Sequence, residues 1–343
     1  MANYTGIQGQ NILIVSSDPA NPVEGQIWYN STSNTLKGYQ FVAGAWATGG
    51  SLNNAIEDMA GNVGTQTAAL AVAGYFAPSP TGGASNLTEE YDGTSWTSGG
   101  TQPNSFFRRT STGTQTAALG WGGYVPSNPV PTRYNSGSNE YDGTSWTAGG
   151  GFPVGIQFLG GAGSQTAALS VGGNSPGVSF QSLVVKYNGT SWSTSTSVPQ
   201  GLRDPITIGT QTATLNVAGV TTDSPDNFAT DAVNTFNGTT WTSSPVYPTP
   251  LWAGFGMGTQ TDALVAAGVR NPSPSSPGTR TTNVNLWNGT TWTSQTATPT
   301  AKNAGQSAGT AASGLMAGGA GSPESLTLEW TGAALATRTL TTS

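Results

Sequence analysis

The chain has 343 residues with a net charge of −6, only 8% charged residues, no cysteine and no histidine. Those absences exclude disulfide staples, Ser-His-Asp and Cys-His nucleophiles, His-ligated zinc and facial-triad iron. The longest basic run is Arg108-Arg109, too small a footprint for a phosphate backbone, so nucleic acid is not an expected partner.

The N-terminus, "MANYTGIQGQNILIVSSDPA", has no basic n-region and one short apolar run, Ile12–Val15. It reads as neither a signal peptide nor a membrane span. Residues 21–46, "NPVEGQIWYNSTSNTLKGYQFVAGAW", read as two strands joined by a polar turn, ending in Gly-Ala-Trp. From residue 51 onward two phrases alternate. One is "YDGTSW" at 91–96 and 141–146, varied to "YNGTSW" (187–192), "FNGTTW" (236–241), "WNGTTW" (287–292) and a worn "WTGAAL" (330–335). The other is "GTQTAAL" at 64–70 and 113–119, with variants starting at 163, 209, 258 and 309. A repeat of about 50 residues lies at the long end of the propeller range.

Within 104–150 the pattern predicts a strand into the turn "GTQ", a second strand "TAALGWGG", a long loop over 124–138, then "NEYD" and "SWTAG" around a tight turn. Asp-Gly or Asn-Gly at that turn predicts a two-residue hairpin with positive φ at both residues. No stretch keeps a helical period. Four strands per repeat, in a meander, form one blade.

The sequence Gly122-Gly123, Glu140-Tyr141-Asp142, Trp146, and its counterpart Gly172-Gly173, Tyr187, Trp192, resembles the kelch repeat. Three repeats carry Ala-Gly in place of the glycine pair. The resemblance covers residues 51–343 and implies an all-β, six-bladed kelch-like β-propeller of four-stranded antiparallel blades. Kelch propellers include copper oxidases whose site uses His and Cys, and this chain has neither. Residues 21–46 resemble a segment of bacteriophage tail-fibre and other virion proteins, and the near-identical repeats resemble structural proteins of marine phages. This implies a virion location, with a short β-hairpin attachment segment (1–50) contacting other virion proteins ahead of the propeller (51–343). Seven strand ends for six copies of the GTQ phrase leave one hairpin surplus. Either "GAWATGG" (44–50) belongs to the attachment segment, the expected assignment, or it closes the ring in place of the worn C-terminal copy.

Tyr91, Trp96, Tyr141, Trp146, Tyr187, Trp192, Trp241 and Trp292 flank the second turn. Recurrence in every repeat predicts packing between blades; stacking on sugars is the alternative reading. In an antiparallel meander the GTQ and DGT turns share one end, and the loops between second and third strands share the other with the blade-to-blade links. The first end is uniform and the second differs in every repeat, so the second is the expected binding face. Its candidate ligand residues are Tyr75, Phe76, Tyr124, Arg133, Tyr134, Phe180, Phe228, Arg270 and Arg280. The ligand would be a host-surface glycan or protein, making the chain an adhesin. Alternatively the loops contact other virion subunits in a decoration or connector protein; a polysaccharide-cleaving enzyme is a distant third. Glu89, Glu90 and Glu140 read as a solvated edge, and Asp262 as facing water. Asp223, Asp226 and Asp231 form a weak calcium candidate, and no cofactor is expected. Asn-Gly-Thr at 188, 237 and 288 is explained by its turn role. A homo-oligomer is the prior for a virion appendage.

Overall fold

The computed structural model describes residues 12–76, 83–129, 131–221, 229–270 and 278–340. Among them are strands and no α-helix, and no helix is long and apolar enough to cross a membrane. The chain divides into two units, one made of residues 1–45 with 332–343 and the other spanning Trp46–Thr331.

The smaller unit is a four-stranded sheet. Strand Leu13–Val15 runs parallel to Ile27–Asn30, which pairs antiparallel with Thr35–Val42, which in turn pairs with Ala334–Thr339. The Asp18 carboxylate gathers three donors: Trp28 Nε1 at 3.0 Å, Asn30 Nδ2 at 2.8 Å and Lys37 Nζ at 2.7 Å. These bonds, Lys37's foremost, pull its pKa down to about 2. Asn30 Oδ1 accepts from the amides of Thr32 and Ser33, which builds the polar turn.

The larger unit is propeller-like: four-stranded antiparallel meanders recur along it. The second consists of Arg109–Thr114, Ala117–Trp121, Ser138–Tyr141 and Trp146–Ala148. Equivalent meanders begin at Met59–Thr65, Gly160–Ser164, Ile206–Thr210 and Phe255–Gly258. A last one, Gln306–Gly309, Ser313–Ala317 and Thr327–Thr331, takes its outer strand from Ala45–Thr48. The expected boundary at residue 50 is therefore corrected. "GAWATGG" supplies the final strand of this meander, and the chain after Thr331 goes on to Ala334–Thr339 in the smaller unit. The local chemistry explains why. "WTGAAL" puts Thr331 where the other turns have Asp or Asn, and Leu335 where they have Trp, so the side-chain acceptor and the anchor of the hairpin are both missing. Trp46 fills the anchor place, its ring 5.2 Å from Trp330 and its Nε1 donating to the Thr296 carbonyl at 3.0 Å.

The repeated second turn also differs from expectation. Tyr91 pairs with Trp96 across a four-residue loop, not a two-residue one. Asp92 Oδ1 accepts from the amides of Thr94 and Ser95, both at 2.8 Å. Gly93 alone in this turn has positive φ, at 92°, where an L side chain would be strained. Asn188, Asn237 and Asn288 accept the same pair of amides in their own repeats.

Buried apolar residues on facing meanders form the core. Leu119, Trp121, Ile156, Ala168 and Val185 cluster in one such layer, and Val63, Leu70, Phe106, Ala118 and Tyr141 in another.

Candidate functional site

The repeated side chains are used up in joining meanders. Tyr91, Tyr141 and Tyr187 are buried, and their hydroxyls donate to Glu329, Glu90 and Glu140 of the preceding repeat at 2.6, 2.5 and 2.6 Å. The same hydroxyls accept from the amides of Gly50, Gly100 and Gly150. Burial and the carboxylate partner raise all three phenols, Tyr91 and Tyr141 to about 12. Trp96, Trp146 and Trp192 donate to Thr327, Thr88 and Ser138 hydroxyls, and Trp241 and Trp292 to backbone carbonyls of Thr196 and Pro245. Glu90 and Glu140 are therefore tyrosine acceptors, and Glu89, 2% exposed, takes four bonds from Asn53 and Asn54. A carboxylate with several donors is stable where an unpaired one is not, which corrects the solvated-edge reading. Asp262 is exposed, as expected.

Sequence reasoning missed the glutamine of the GTQ phrase. Gln115 Nε2 reaches back to the carbonyls of Ala69 and Tyr91 at 3.1 and 2.7 Å. Gln165 does the same to Ala118 and Tyr141, Gln211 to Ala168 and Tyr187, and Gln260 to Thr214 and Phe236. Gln66 joins the first meander to the last through Gly314 and Trp330. The signal was available: a glutamine kept in five turns that need no glutamine for their own geometry.

At the other end of the first strands, Asp58, Arg108, Phe158, Asp204, Ala253 and Ala304 take equivalent places with φ of 56°, 57°, 59°, 53°, 50° and 53°. Each of the last five donates its amide to the carbonyl of the one before, at 2.8–3.1 Å, and the Met59 amide closes the circle on Ala304 at 3.1 Å. Left-handed non-glycine residues persist only where surroundings over-determine them, and this hydrogen-bonded ring does so. It frames a small cavity of about 60 Å³.

Different side chains occupy these equivalent places. Arg108 pairs with Asp58 at 3.3 Å, and Arg203 lies 4.0 Å from Asp204. The Arg108 guanidinium stacks over Phe107 and Phe158, and that of Arg203 over Phe158 and Phe180. Phe107 meets Tyr75 and Tyr124 at 5.3 and 5.1 Å, and Tyr124 meets Tyr134 at 5.7 Å with Arg133 Nη1 on its hydroxyl at 2.8 Å. The result is one aromatic–arginine ribbon beside the cavity. Burial pushes Asp204 up to about 7 against the pull of Arg203, and raises Asp58 against that of Arg108. Arg109 turns the opposite way. It is 3% exposed over Phe106, bonded to Gln102, the Gly120 carbonyl and Asn139, and burial lowers it to about 9.

Of the candidate ligand residues, the structure brings Tyr75, Tyr124, Arg133, Tyr134 and Phe180 into this ribbon. These five are half-buried, where exposed side chains were expected. Phe76 packs instead on a core cluster with Ile56. Arg280 donates to Asn303 at 2.7 Å, and Arg270 sits in a two-stranded ribbon with Thr279. Phe228, Asp223 and Asp226 lie outside the described residues, and among those described no group of three or more acidic residues could hold a metal.

No family model matches the chain, and no curated protein matches it. Among solved structures it is similar to one titled "Structure of YjhT", with a TM-score of 0.63 and 13% identity, over 83% of this chain and 99% of that one. At that identity the likeness concerns the propeller-like fold.

Proposed function

We propose that the chain is a six-bladed, kelch-like β-propeller of a bacteriophage virion, acting as a tail-fibre or appendage adhesin that grips a host-surface glycan and carries out no catalysis. One observation carries the binding reading. The aromatic–arginine ribbon lies at the end where the repeats differ, while the side chains of the uniform end are engaged in joining meanders. Aromatic faces and planar guanidinium groups suit the apolar faces and hydroxyls of sugars, and rigid scaffolds place such groups on loops. The closed circle of six left-handed residues supports a count of six blades. The smaller unit leaves Ile14, Phe41 and Leu335 at 69%, 62% and 39% exposure, an apolar surface for attachment to other virion subunits. The test is a glycan array and a cell-binding assay with the full chain and with Tyr124→Ala/Arg133→Ala. The reading expects binding by the parent chain and its loss in the double variant. Undiminished binding by the variant would refute it.

A further inference from the structure

The three arginines of the ribbon are not alike. Arg108 pairs with Asp58 and Arg203 stands beside Asp204, and the remaining salt bridge among the described residues joins Lys37 to Asp18. Arg133 therefore has no carboxylate oxygen within 4.0 Å among them. It is half-buried, and a fixed cation without a counter-charge in such a place attracts an anion. The surplus is local. The chain as a whole carries −6, so its overall field does not gather polyanions.

Arg133 is also held in place. Its amide donates to the Pro129 carbonyl at 3.1 Å, its carbonyl accepts from the Val125 amide at 2.8 Å, and the next residue, Tyr134, bridges to Tyr124. The guanidinium carbon lies 5.6 Å from the centre of the Tyr124 ring, and Nη1 donates to that ring's hydroxyl at 2.8 Å. Nε is buried, and Nη2 has no hydrogen bond among the described residues. The Nη1–Nη2 edge is thus the side of the guanidinium left for a ligand. Two coplanar N–H donors match two oxygens of a carboxylate or a sulfate. A guanidinium already immobilised loses little freedom on binding.

Beside this edge runs the row Tyr75, Phe107, Tyr124 and Tyr134, with successive ring centres 5.3, 5.1 and 5.7 Å apart. Tyr75, Tyr124 and Tyr134 are half-buried. Such rings suit the flat C–H faces of a sugar chain better than an acidic peptide, whose carboxylate side chains bring no apolar face. The cavity inside the ring, about 60 Å³, is too small for a sugar, so the ligand lies along the row. Resting on the glycan reading above, we propose that the ribbon selects anionic sugars: a uronate carboxylate or a sulfate ester meets Arg133 Nη1 and Nη2, and the adjoining sugars lie along the aromatic row.

Two matched pairs of probes separate charge from sugar: oligogalacturonate against its methyl ester, and a sulfated galactan oligosaccharide against the same chain desulfated. Hexaglutamate stands for an acidic protein partner. Each is titrated against the full chain by ligand-observed NMR at neutral pH and low salt, where exposed charges are least screened. The charged member of at least one pair should bind about tenfold or more tighter than its neutral partner, and the pair that responds tells carboxylate from sulfate. Arg133→Gln should erase that difference, weakening the charged probe about tenfold and leaving the neutral one unchanged. Arg133→Lys keeps the charge without the paired donors and should recover only part of it. The comparison within each pair is made on the parent chain, so it stands even where a variant does not fold. Equal binding within both pairs, no binding of either charged sugar, or a charge preference that survives Arg133→Gln overturns the proposal. So does hexaglutamate binding tighter than both charged sugars. Array binding confined to neutral glycans overturns it too and leaves the glycan reading standing. No array binding by the parent chain defeats both.

Discussion

Replacing Gln165 by alanine removes the two bonds from its Nε2 to the carbonyls of Ala118 and Tyr141, at 3.1 and 2.6 Å. Both acceptors belong to the preceding meander, so the loss falls on the boundary between repeats. A typical intramolecular hydrogen bond contributes about 0.5–1.5 kcal/mol net, and two of them about 1–3 kcal/mol. The side chain is only half-buried, so little cavity cost is added. For a domain of a few hundred residues 1 kcal/mol shifts the melting temperature by about 2–4 °C. Thermal denaturation should therefore show a drop of about 2–12 °C, and urea denaturation a loss of about 1–3 kcal/mol. Thr166→Ala is the control: it lies in the same turn, is exposed, and should stay within about 0.5 kcal/mol of the parent. Gln115→Ala acts at a separate boundary, and its effect should add to that of Gln165→Ala. Equal stability of Gln165→Ala and Thr166→Ala would refute the clamp.

Other expectations follow from the same geometry. Trp146, 8% exposed and bonded to Thr88, should cost about 3–5 kcal/mol on truncation to alanine, read by urea denaturation. Tyr187→Phe keeps the ring but deletes the hydroxyl between Glu140 and the Gly150 amide, and should cost about 1–2 kcal/mol. Burial pushes the Asp204 carboxyl up from its ordinary value of 3.8 to about 7. The folded protein thus holds this proton more tightly than the unfolded chain, and its contribution to stability is present at low pH and lost as the pH rises from about 4 to 7. Asp204→Asn should accordingly be more stable than the parent at pH 8, by about 2–4 kcal/mol, and nearly equal to it at pH 4. A difference independent of pH would show that Asp204 is not the group responsible.

The repeat made the meander readable because turn chemistry is local. Gly-Thr-Gln and Asp-Gly-Thr-Ser mark both turns, and the strands 117–121, 138–141 and 146–148 fall where alternation and turn residues put them, while the first, expected to end ahead of the GTQ phrase, starts at Arg109 and runs on through Thr114. Pairing across the whole chain was not readable. Ala45–Thr48 completes a sheet with Thr327–Thr331, and Thr35–Val42 pairs with Ala334–Thr339; nothing near either strand names so distant a partner. The mouth was hidden for a different reason. What repeats at residues 58, 108, 158, 204, 253 and 304 is a backbone conformation, and its side chains are Asp, Arg, Phe, Asp, Ala and Ala. Loop aromatics drew attention to Tyr124 and Tyr134. Phe107, Arg108, Phe158 and Arg203, which join them into a ribbon, sit in links without a shared letter. Glu89 and Glu90 looked solvated because their partners lie far off in the chain: Asn53 and Asn54 in the link ahead of the first meander, and Tyr141 in the second.

The central claim is that binding resides at the variable end of the meanders, around the cavity. Its most direct measurement is glycan and cell binding by the intact chain carrying either Tyr124→Ala/Arg133→Ala at that end or Thr144→Ala/Thr190→Ala at the uniform end, with matched melting temperatures. Loss only in the first variant is the predicted result. Loss only in the second, or in neither, would contradict the claim.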